Sequence, residues 1–223
     1  MSTTRTARPG AAYSPALAAF TEDQYTLGDI YGMRTAVSTK AGTNGNNLVA
    51  DLSALGKCLV VGPTAKSHLQ SIGMPVPNAL LEWSPLGADG CVAMLHRDRY
   101  LLSAPHAQAR AIDALNGPTP EGVLVLPYDA ADFAVHGDVA DAFLREFAIL
   151  DLQLQSAQGW IATRLAHCEV YLWRPLSHGL RLICTPADAR FLLSTLTAVA
   201  TEVGGSVVGF NDYVHYVNKG ASA

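Results

Sequence analysis

Short apolar runs bounded by Gly, Pro, Asn and Asp alternate along the chain with stretches whose apolar residues recur at helical spacing. Runs of the first kind read as strands and stretches of the second kind as amphipathic helices. In the first half, residues 57–61 predict a strand, 64–72 a helix, 91–95 and 99–103 two more strands, and Ile112 with Leu115 a second helix. The second half repeats that order: strands over 123–126 and 133–135, a helix over 139–147, strands over 168–173 and 180–184, and a closing helix. The closing helix has the fullest signature. Thr185 is placed to cap it, Pro186 suits its first turn, Leu192, Leu196, Val199 and Val203 step by 4, 3 and 4, and Gly204-Gly205 ends it. Along 180–184, Leu180, Leu182 and Cys184 alternate with Arg181, but Ile183 breaks the polar face, so this strand is expected to meet a second surface. Short connections such as 175–179 favour antiparallel pairing, because parallel neighbours need longer crossovers.

The two halves also match residue by residue. Leu59, Gly62, Ala65 and Leu69 align with Ala134, Gly137, Ala140 and Leu144 at a common offset of 75. Cys91 and Leu95 align with Cys168 and Leu172 at 77, and Ala107 and Arg110 with Ala187 and Arg190 at 80. A slowly rising offset indicates small loop insertions between two copies of one unit. The expectation is an α+β fold of internally duplicated β-α-β-β-α lobes with pseudo-twofold symmetry, facing each other around a shared core or cleft. Residues 1–47 read as a partly disordered N-terminal arm, rich in Ser, Thr, Ala and Pro up to about residue 19. Residues 48–217 form the duplicated domain, with lobes of about 48–117 and 121–210, and 218–223 form a tail.

Composition narrows the class. With 223 residues, 49% hydrophobic and 15% charged, the chain can bury a substantial core. A net charge of −4 and a pI near 5.9 supply no basic field for nucleic acid. No apolar run approaches a membrane span or a signal-peptide core, so a cytoplasmic protein is expected. Cys58, Cys91, Cys168 and Cys184 sit in apolar runs without Cys-x-x-Cys spacing, which reads as buried reduced thiols rather than a zinc or redox site.

Candidate chemistry is sparse. The seven histidines form neither His-x-x-x-His nor His-Glu-x-x-His, so no metal site is expected. No Gly-x-Ser-x-Gly elbow occurs, and Gly62-Pro63 reads as a helix start rather than a phosphate loop. Asp51 and Asp151, each followed by Leu, are either turn-formers or polar contacts lining the space between lobes. Trp173, Arg174 and His178 cluster in one hairpin, a mix that suits a protein interface as readily as a ligand pocket. No residue is assigned a catalytic role.

Longer patterns carry a resemblance. Ala50-Asp51-Leu-Ser53, Gly62-Pro63-x-Ala65-x-x-x-Leu69, Gly73-Met-Pro-Val-Pro77-Asn78 and Leu95-x-x-Asp98-x-Tyr100-Leu-Leu102 resemble the gamma subunit family of heterotetrameric sarcosine oxidase. The second half agrees through Gly137-x-x-Ala140-x-x-x-Leu144, Leu150-Asp151-Leu152 and Ala162-Thr163-Arg164-Leu-Ala166. This resemblance implies the fold of the folate-binding domain of the glycine-cleavage T-protein, a one-carbon context, and tetrahydrofolate as a possible ligand in a central cavity. In the T-protein a hairpin ending Gly-Gly-x-x-Asp-Asp presents a carboxylate, and Gly87-Ala88-Asp89-Gly90 retains one Asp there. The T-protein pattern Arg-Thr-Gly-Tyr-Thr-Gly-Glu falls on 174–180, where Arg174 and Gly179 match but the Glu is replaced by Leu180. Ligand candidates are therefore Asp51, Asp89 and Arg174, and interface candidates Trp173, Arg174 and His178.

Two functional classes follow. The first is a non-catalytic accessory subunit docking against larger oxidase subunits, with flavin confined to those partners. The second is a small tetrahydrofolate-dependent enzyme or folate-binding protein that uses the cleft between lobes. A third class is a stand-alone biosynthetic enzyme that kept the scaffold and acquired new chemistry, since fold does not fix function; a homo-oligomer is compatible with each.

Overall fold

The computed structural model describes residues 12–42, 45–108, 112, 115, 117–148, 159–175 and 179–220. In chain order the elements are β1 (Ala12–Tyr13), a 3-10 turn (Leu17–Ala19), β2 (Tyr25–Ile30), β3 (Met33–Thr39), β4 (Leu48–Asp51), β5 (Lys57–Val61) and α1 (Ala65–Ser71). Next come β6 (Trp83–Leu86), β7 (Gly90–His96), β8 (Arg99–Ser103), a 3-10 turn (His106–Gln108), β9 (Leu124–Pro127), β10 (Ala131–His136) and α2 (Asp138–Phe147). The remainder is β11 (Ile161–Leu165), β12 (Cys168–Trp173), β13 (Gly179–Cys184), α3 (Ala189–Glu202), β14 (Ser206–Val208) and α4 (Phe210–Gly220).

Two sheets share one plan. The first has the order β6-β7-β8-β5-β9 and the second β11-β12-β13-β10-β4, and every neighbouring pair in these runs is antiparallel. Strand β14 then extends the second sheet by pairing with β4 in parallel. Each half lends its first strand to the other. Strand β4 leads into β5 but pairs with β10, and β9 leads into β10 but pairs with β5. The mixed α/β architecture expected from the sequence is thus present.

Strand periodicity sorts the core into layers. One face of the second sheet places Phe133, Val135, Leu172, Leu180 and Leu182 against Val139 and Phe143 of α2 and Leu192, Leu196 and Val199 of α3. Its other face meets the first sheet, where Trp173 and Ile183 pack with Cys91, Ala93, Leu101 and Trp160. Ile183 breaks the alternation of β13 because both faces of this sheet are buried. Helix α4 covers the rest of that face, setting Phe210, Tyr213 and Val217 over Leu48, Ala50 and Ala134. The far face of the first sheet holds Val60, Val92 and Leu102 against Ala65 and Leu69 of α1.

Two of the residues aligned by offset each stand at a strand-to-helix corner. Gly62 and Gly137 precede α1 and α2 with φ of +139° and +69°. A Cβ at Gly62 would lie 1.8 Å from the Gly122 carbonyl oxygen, and one at Gly137 2.2 Å from Asn47 Oδ1, so neither corner accepts a side chain. Helix α3 ends as expected: Gly204 N–H donates to Thr201 O at 3.2 Å and Gly205 N–H to Ala200 O at 2.7 Å, the paired bonds of a Schellman motif. Its start differs from the expectation. Asp188 is the residue before the helix, and Thr185 Oγ1 donates to the Asp188 carboxylate at 3.0 Å instead of capping the backbone.

Three further expectations are corrected. The stretch 1–47 is not simply an arm, because β1 to β3 form a sheet within it and Ala16, Phe20 and Ala36 are buried in the main core. Its strands were missed because polar Thr26, Asp29, Arg34 and Thr35 interrupt the apolar period. The boundary at 217 falls inside α4, whose mean polarity hides a single buried stripe. The Cys91 and Cys168 match is out of register: Cys91 faces the opposite sheet whereas Cys168 faces the helix layer. An odd error in offset reverses the face of every side chain. The helix expected at Ile112 and Leu115 falls largely outside the described residues, as does residue 151 and residues 176–178 of the hairpin.

No helix among the described residues is long and apolar enough to cross a membrane. The four cysteines are buried and free.

Candidate functional site

The two sheets trap a line of charged and polar side chains. Asp89 lies at the tip of the β6–β7 hairpin, followed by Gly90, where a Cβ would sit 2.6 Å from both Leu86 O and Pro105 N. This close approach presses the hairpin inward, and Asp89 is fully buried. Its Oδ1 accepts the His106 N–H at 3.0 Å, and its Oδ2 accepts the Tyr213 hydroxyl at 2.9 Å. His106 Nδ1 is 3.0 Å from the same Oδ2, an ion-pair distance whose angle falls short of a straight hydrogen bond.

Arg181 links this carboxylate to a second one. Strands β10 and β13 pair with Ala134 opposite Arg181, which brings the side chain over Asp132 from the neighbouring strand. Arg181 donates through Nε to Asp132 Oδ1 at 3.0 Å and through Nη2 to Oδ2 at 2.6 Å, a bidentate pair. Its Nη1 donates to the Asp89 carbonyl at 2.8 Å. The guanidinium carbon lies 5.2 Å from the Trp173 ring centroid, and Trp173 stacks on Trp160 at 4.7 Å. Beyond Asp132, Lys57 Nζ lies 3.5 Å from its Oδ2 and donates to the carbonyls of Ser53 and Leu55 at 3.2 and 2.8 Å. Ser53 Oγ accepts the Asp132 N–H at 3.2 Å and donates to Asp51 Oδ1 at 2.5 Å. Asp51 also accepts from Thr35 Oγ1 at 3.0 Å and from Ser14 Oγ, tying the N-terminal sheet to β4.

Burial and neighbouring charge oppose each other here. Burial disfavours the Asp89 carboxylate, yet His106 and Arg181 outweigh it and hold the carboxyl below its ordinary range. Burial likewise works against the Arg181 cation, and Asp132, Tyr213 and Asp89 more than compensate, so it stays charged. Lys57 is pushed down by burial, with Asp132 resisting and Arg181 adding to the fall. Burial raises the thiols of Cys58 and Cys184 to about 12, far from a reactive thiolate.

The sequence candidates do not assemble into one site. Asp51 and Asp89 are both buried and saturated by this chain's own donors. Arg174 lies on another side of the second sheet, 3.2 Å from the exposed Asp141 of α2. Trp173 is fully buried, so it is a core residue rather than an exposed interface anchor, because β12 turns its indole toward the first sheet. His178 lies outside the described residues. Sequence reasoning missed Lys57, Asp132, Arg181, His106 and Tyr213; only the lone Arg181 between Leu180 and Leu182 signalled a buried charge.

A pterin edge presents N–H donors and requires a free carboxylate accepting two of them. Both carboxylates nearest the hairpin are taken. Buried atoms without a partner include Nε1 of Trp83, Trp160 and Trp173, which only donate, and Ser103 Oγ and His136 Nε2, neither of which offers the paired acceptor oxygens of a carboxylate. The residues present therefore do not fit tetrahydrofolate at Asp89. Among the described residues no group of three His, Cys, Asp or Glu is placed to hold a metal ion.

No protein-family model matches the chain. No curated protein matches it in sequence. Solved structures do match its fold. Glycine cleavage system aminomethyltransferase T from Bartonella henselae aligns with a TM-score of 0.66 at 16% identity, over 90% of this chain and 60% of that one. A chain of heterotetrameric sarcosine oxidase from Corynebacterium sp. U-96, solved with pyrrole 2-carboxylate, aligns with a TM-score of 0.56 at 21% identity, over 73% of this chain and 88% of that one. The chain spans about 60% of the aminomethyltransferase's length. It has the fold shared by the glycine-cleavage T-protein and heterotetrameric sarcosine oxidase.

Proposed function

We propose that this chain is a non-catalytic, gamma-like accessory subunit of an amine-oxidising complex of the sarcosine oxidase type, acting in one-carbon metabolism. The observation that carries this reading is the hairpin carboxylate: Asp89 is fully buried, with Oδ1 engaged by the His106 N–H and Oδ2 by the Tyr213 hydroxyl beside the His106 and Arg181 side chains. The sarcosine oxidase chain, 88% covered by 73% of this chain, is of similar size and belongs to a heterotetramer, which supports a partner-bound role. Flavin would then reside in the partner chains. The docking edge in this reading is β9, the outermost strand of the first sheet, where Leu124 and Leu126 are exposed. Unpaired strand edges with apolar side chains are ready templates for another chain.

The test is purification from the native host. A stoichiometric complex with a flavin-containing oxidase chain, lost on Leu124→Asp with Leu126→Asp, is expected. A monomer that binds reduced folate tightly in a calorimetric titration would overturn the reading. The alternative, a folate-binding protein, draws on the three unpartnered indole N–H groups between the sheets. Its mark would be one-to-one tetrahydrofolate binding abolished by Asp89→Ala.

A further inference from the structure

Helix α4 is fastened at two places of different chemistry. At its start, Asp212 Oδ2 accepts the backbone N–H of Thr39 at 2.7 Å and of Gly209 at 3.2 Å. Farther along, the helix leans on two buried imidazoles. His106 stands between Asp89, 3.0 Å from Nδ1, and Asn218 of α4, whose Oδ1 is 3.4 Å from Nε2. His136 of β10 packs its ring 5.8 Å from the Tyr213 ring and 5.1 Å from the Tyr216 ring, and Gly179 beneath it leaves no room for a Cβ. Tyr213 sits between the histidines, its hydroxyl on Asp89 and its ring 6.2 Å from His106.

We propose that α4 is a latch whose closure depends on the charge of these two histidines: it is held when His106 is an imidazolium bridging Asp89 and Asn218 while His136 is neutral, and it opens when either ring changes its charge. An imidazolium donates from both nitrogens, matching acceptors on both sides, whereas a neutral ring leaves one nitrogen lone pair facing an acceptor. His136 has the opposite requirement. Its ring has no hydrogen-bond partner at Nε2, and a proton there would add a second positive charge in the field of Arg181. Opening would uncover Leu48, Ala50 and Leu52, together with the Asp89 carboxylate.

The charged and titratable groups around the latch set its direction. His106 faces Asp89 from the β6–β7 hairpin, Arg181 from β13 and Tyr213 from α4, while Tyr31 donates to its carbonyl at 3.1 Å. The Asp89 carboxylate, 3.0 Å from its Nδ1, raises its pKa against the pull of burial. A raised histidine contributes stability that is full below the unfolded value near 6.5 and is lost as pH climbs through the folded value. His136 faces Arg181 and, more weakly, Asp89, with Tyr213 and Tyr216 on α4; burial first and then Arg181 push it down to about 4. A depressed histidine contributes stability that is full above 6.5 and is lost as pH falls toward 4. Lys57 and Asp132 lie behind Arg181 and belong to the same line of charge. The latch is therefore tightest near neutral pH and loosens on both sides.

Amide hydrogen exchange on the full chain from pH 4 to 9.5, expressed as protection over intrinsic rates, reads this out. Protection of the amides at 213–219 is expected to peak near neutrality and drop about tenfold on each side, while amides of α3 and β13 change less. His106→Gln should flatten the alkaline limb and keep the acid one, and His136→Phe, which preserves ring packing, should do the reverse. Asn218→Asp adds a carboxylate beside Nε2 and should move the alkaline limb to higher pH, a result that stands even where a histidine variant fails to fold. Protection in α4 that follows α3 and β13 in parallel at every pH, an alkaline limb that persists in His106→Gln, or one unmoved by Asn218→Asp would overturn the latch.

Discussion

Strands β4 and β9 hold equivalent places in the two sheets, and their surroundings differ. Both begin Leu-Val, as Leu48-Val49-Ala50-Asp51 and Leu124-Val125-Leu126-Pro127, and both pair antiparallel with the strand that precedes a helix of their sheet. Leu48 and Ala50 are 3% and 0% exposed because β14 pairs along the β4 edge and α4 lies over its face. Leu124 and Leu126 are 62% and 46% exposed. Among the described residues, this strand position is paired and covered in one half and is the outermost strand in the other. That asymmetry, set on a shared plan, is what an added strand and helix from another chain would complete in the proposed subunit reading.

A second contrast runs across the middle of the sheets. In register, Leu126, Leu59, Leu101, Ala93 and Trp83 cross the first sheet, and Ala50, Ala134, Arg181 and Trp173 cross the second. Arg181 stands where the first half has Leu101. The largest effect is expected there. Arg181→Met should cost about 3–5 kcal/mol, because it removes the bidentate partner of buried Asp132 and the guanidinium beside buried Asp89. Leu101→Met, a nearly volume-conserving change at the matching place, should cost less than about 1.5 kcal/mol. Chemical denaturation of both variants would show it, and equal costs would mean that the two rows are energetically alike.

Covered and bare surfaces can be compared the same way. Leu196→Ala on α3, fully buried against α2 and the second sheet, should lose about 2–5 kcal/mol. Leu124→Ala should stay within about 0.5 kcal/mol, since the side chain leaves little apolar area to lose. Thermal melts would separate them. A large loss at Leu124 would show that β9 is covered within the chain itself and end its role as a free edge.

Association provides the next test of that edge. The paired change Leu124→Asp and Leu126→Asp should leave the melting curve close to that of the unaltered chain and weaken partner binding about tenfold or more. The measurement is titration of purified partner chains against both proteins. Unchanged affinity would move the interface elsewhere on the molecule.

Much of this fold was legible in the sequence. Strands 168–173 and 57–61, the helix run Leu192 to Val203 and the corner glycines Gly62 and Gly137 emerge from period and turn chemistry alone, because each meets one dominant surface. Two parts were hidden for physical reasons. The hairpin of β2 and β3 buries only part of its alternate residues, and α4 carries the exposed His215 and Lys219 among its buried positions, so neither shows a clean apolar stripe. The buried charges were hidden because their partners are distant in sequence: Asp89 and Tyr213 are 124 positions apart, and Asp132 and Arg181 are 49 apart. Asp89 and Asp51 stand out in the sequence only as ligand candidates, and their engagement by this chain's own donors depends on tertiary contacts that no local pattern encodes.

The smallest effect separates a surface contact from a binding residue. Arg174 pairs with Asp141 at 3.2 Å, with side chains 29% and 56% exposed, while Arg181 seven positions later is sealed between two carboxylates. Solvent screens the first pair and not the second, so Arg174→Ala should cost only about 0.2–1 kcal/mol, and that cost should shrink as salt is raised. Asp141→Ala should give a similar value, and the double variant should cost little more than either alone, as expected when one exposed pair accounts for both losses. Were Arg174 instead a ligand-binding residue, its replacement would abolish heat release in a tetrahydrofolate titration while Asp141→Ala left it intact. The denaturation cycle and the titration together therefore decide whether the guanidinium that matched the T-protein pattern serves a ligand or fastens the end of β12 to α2.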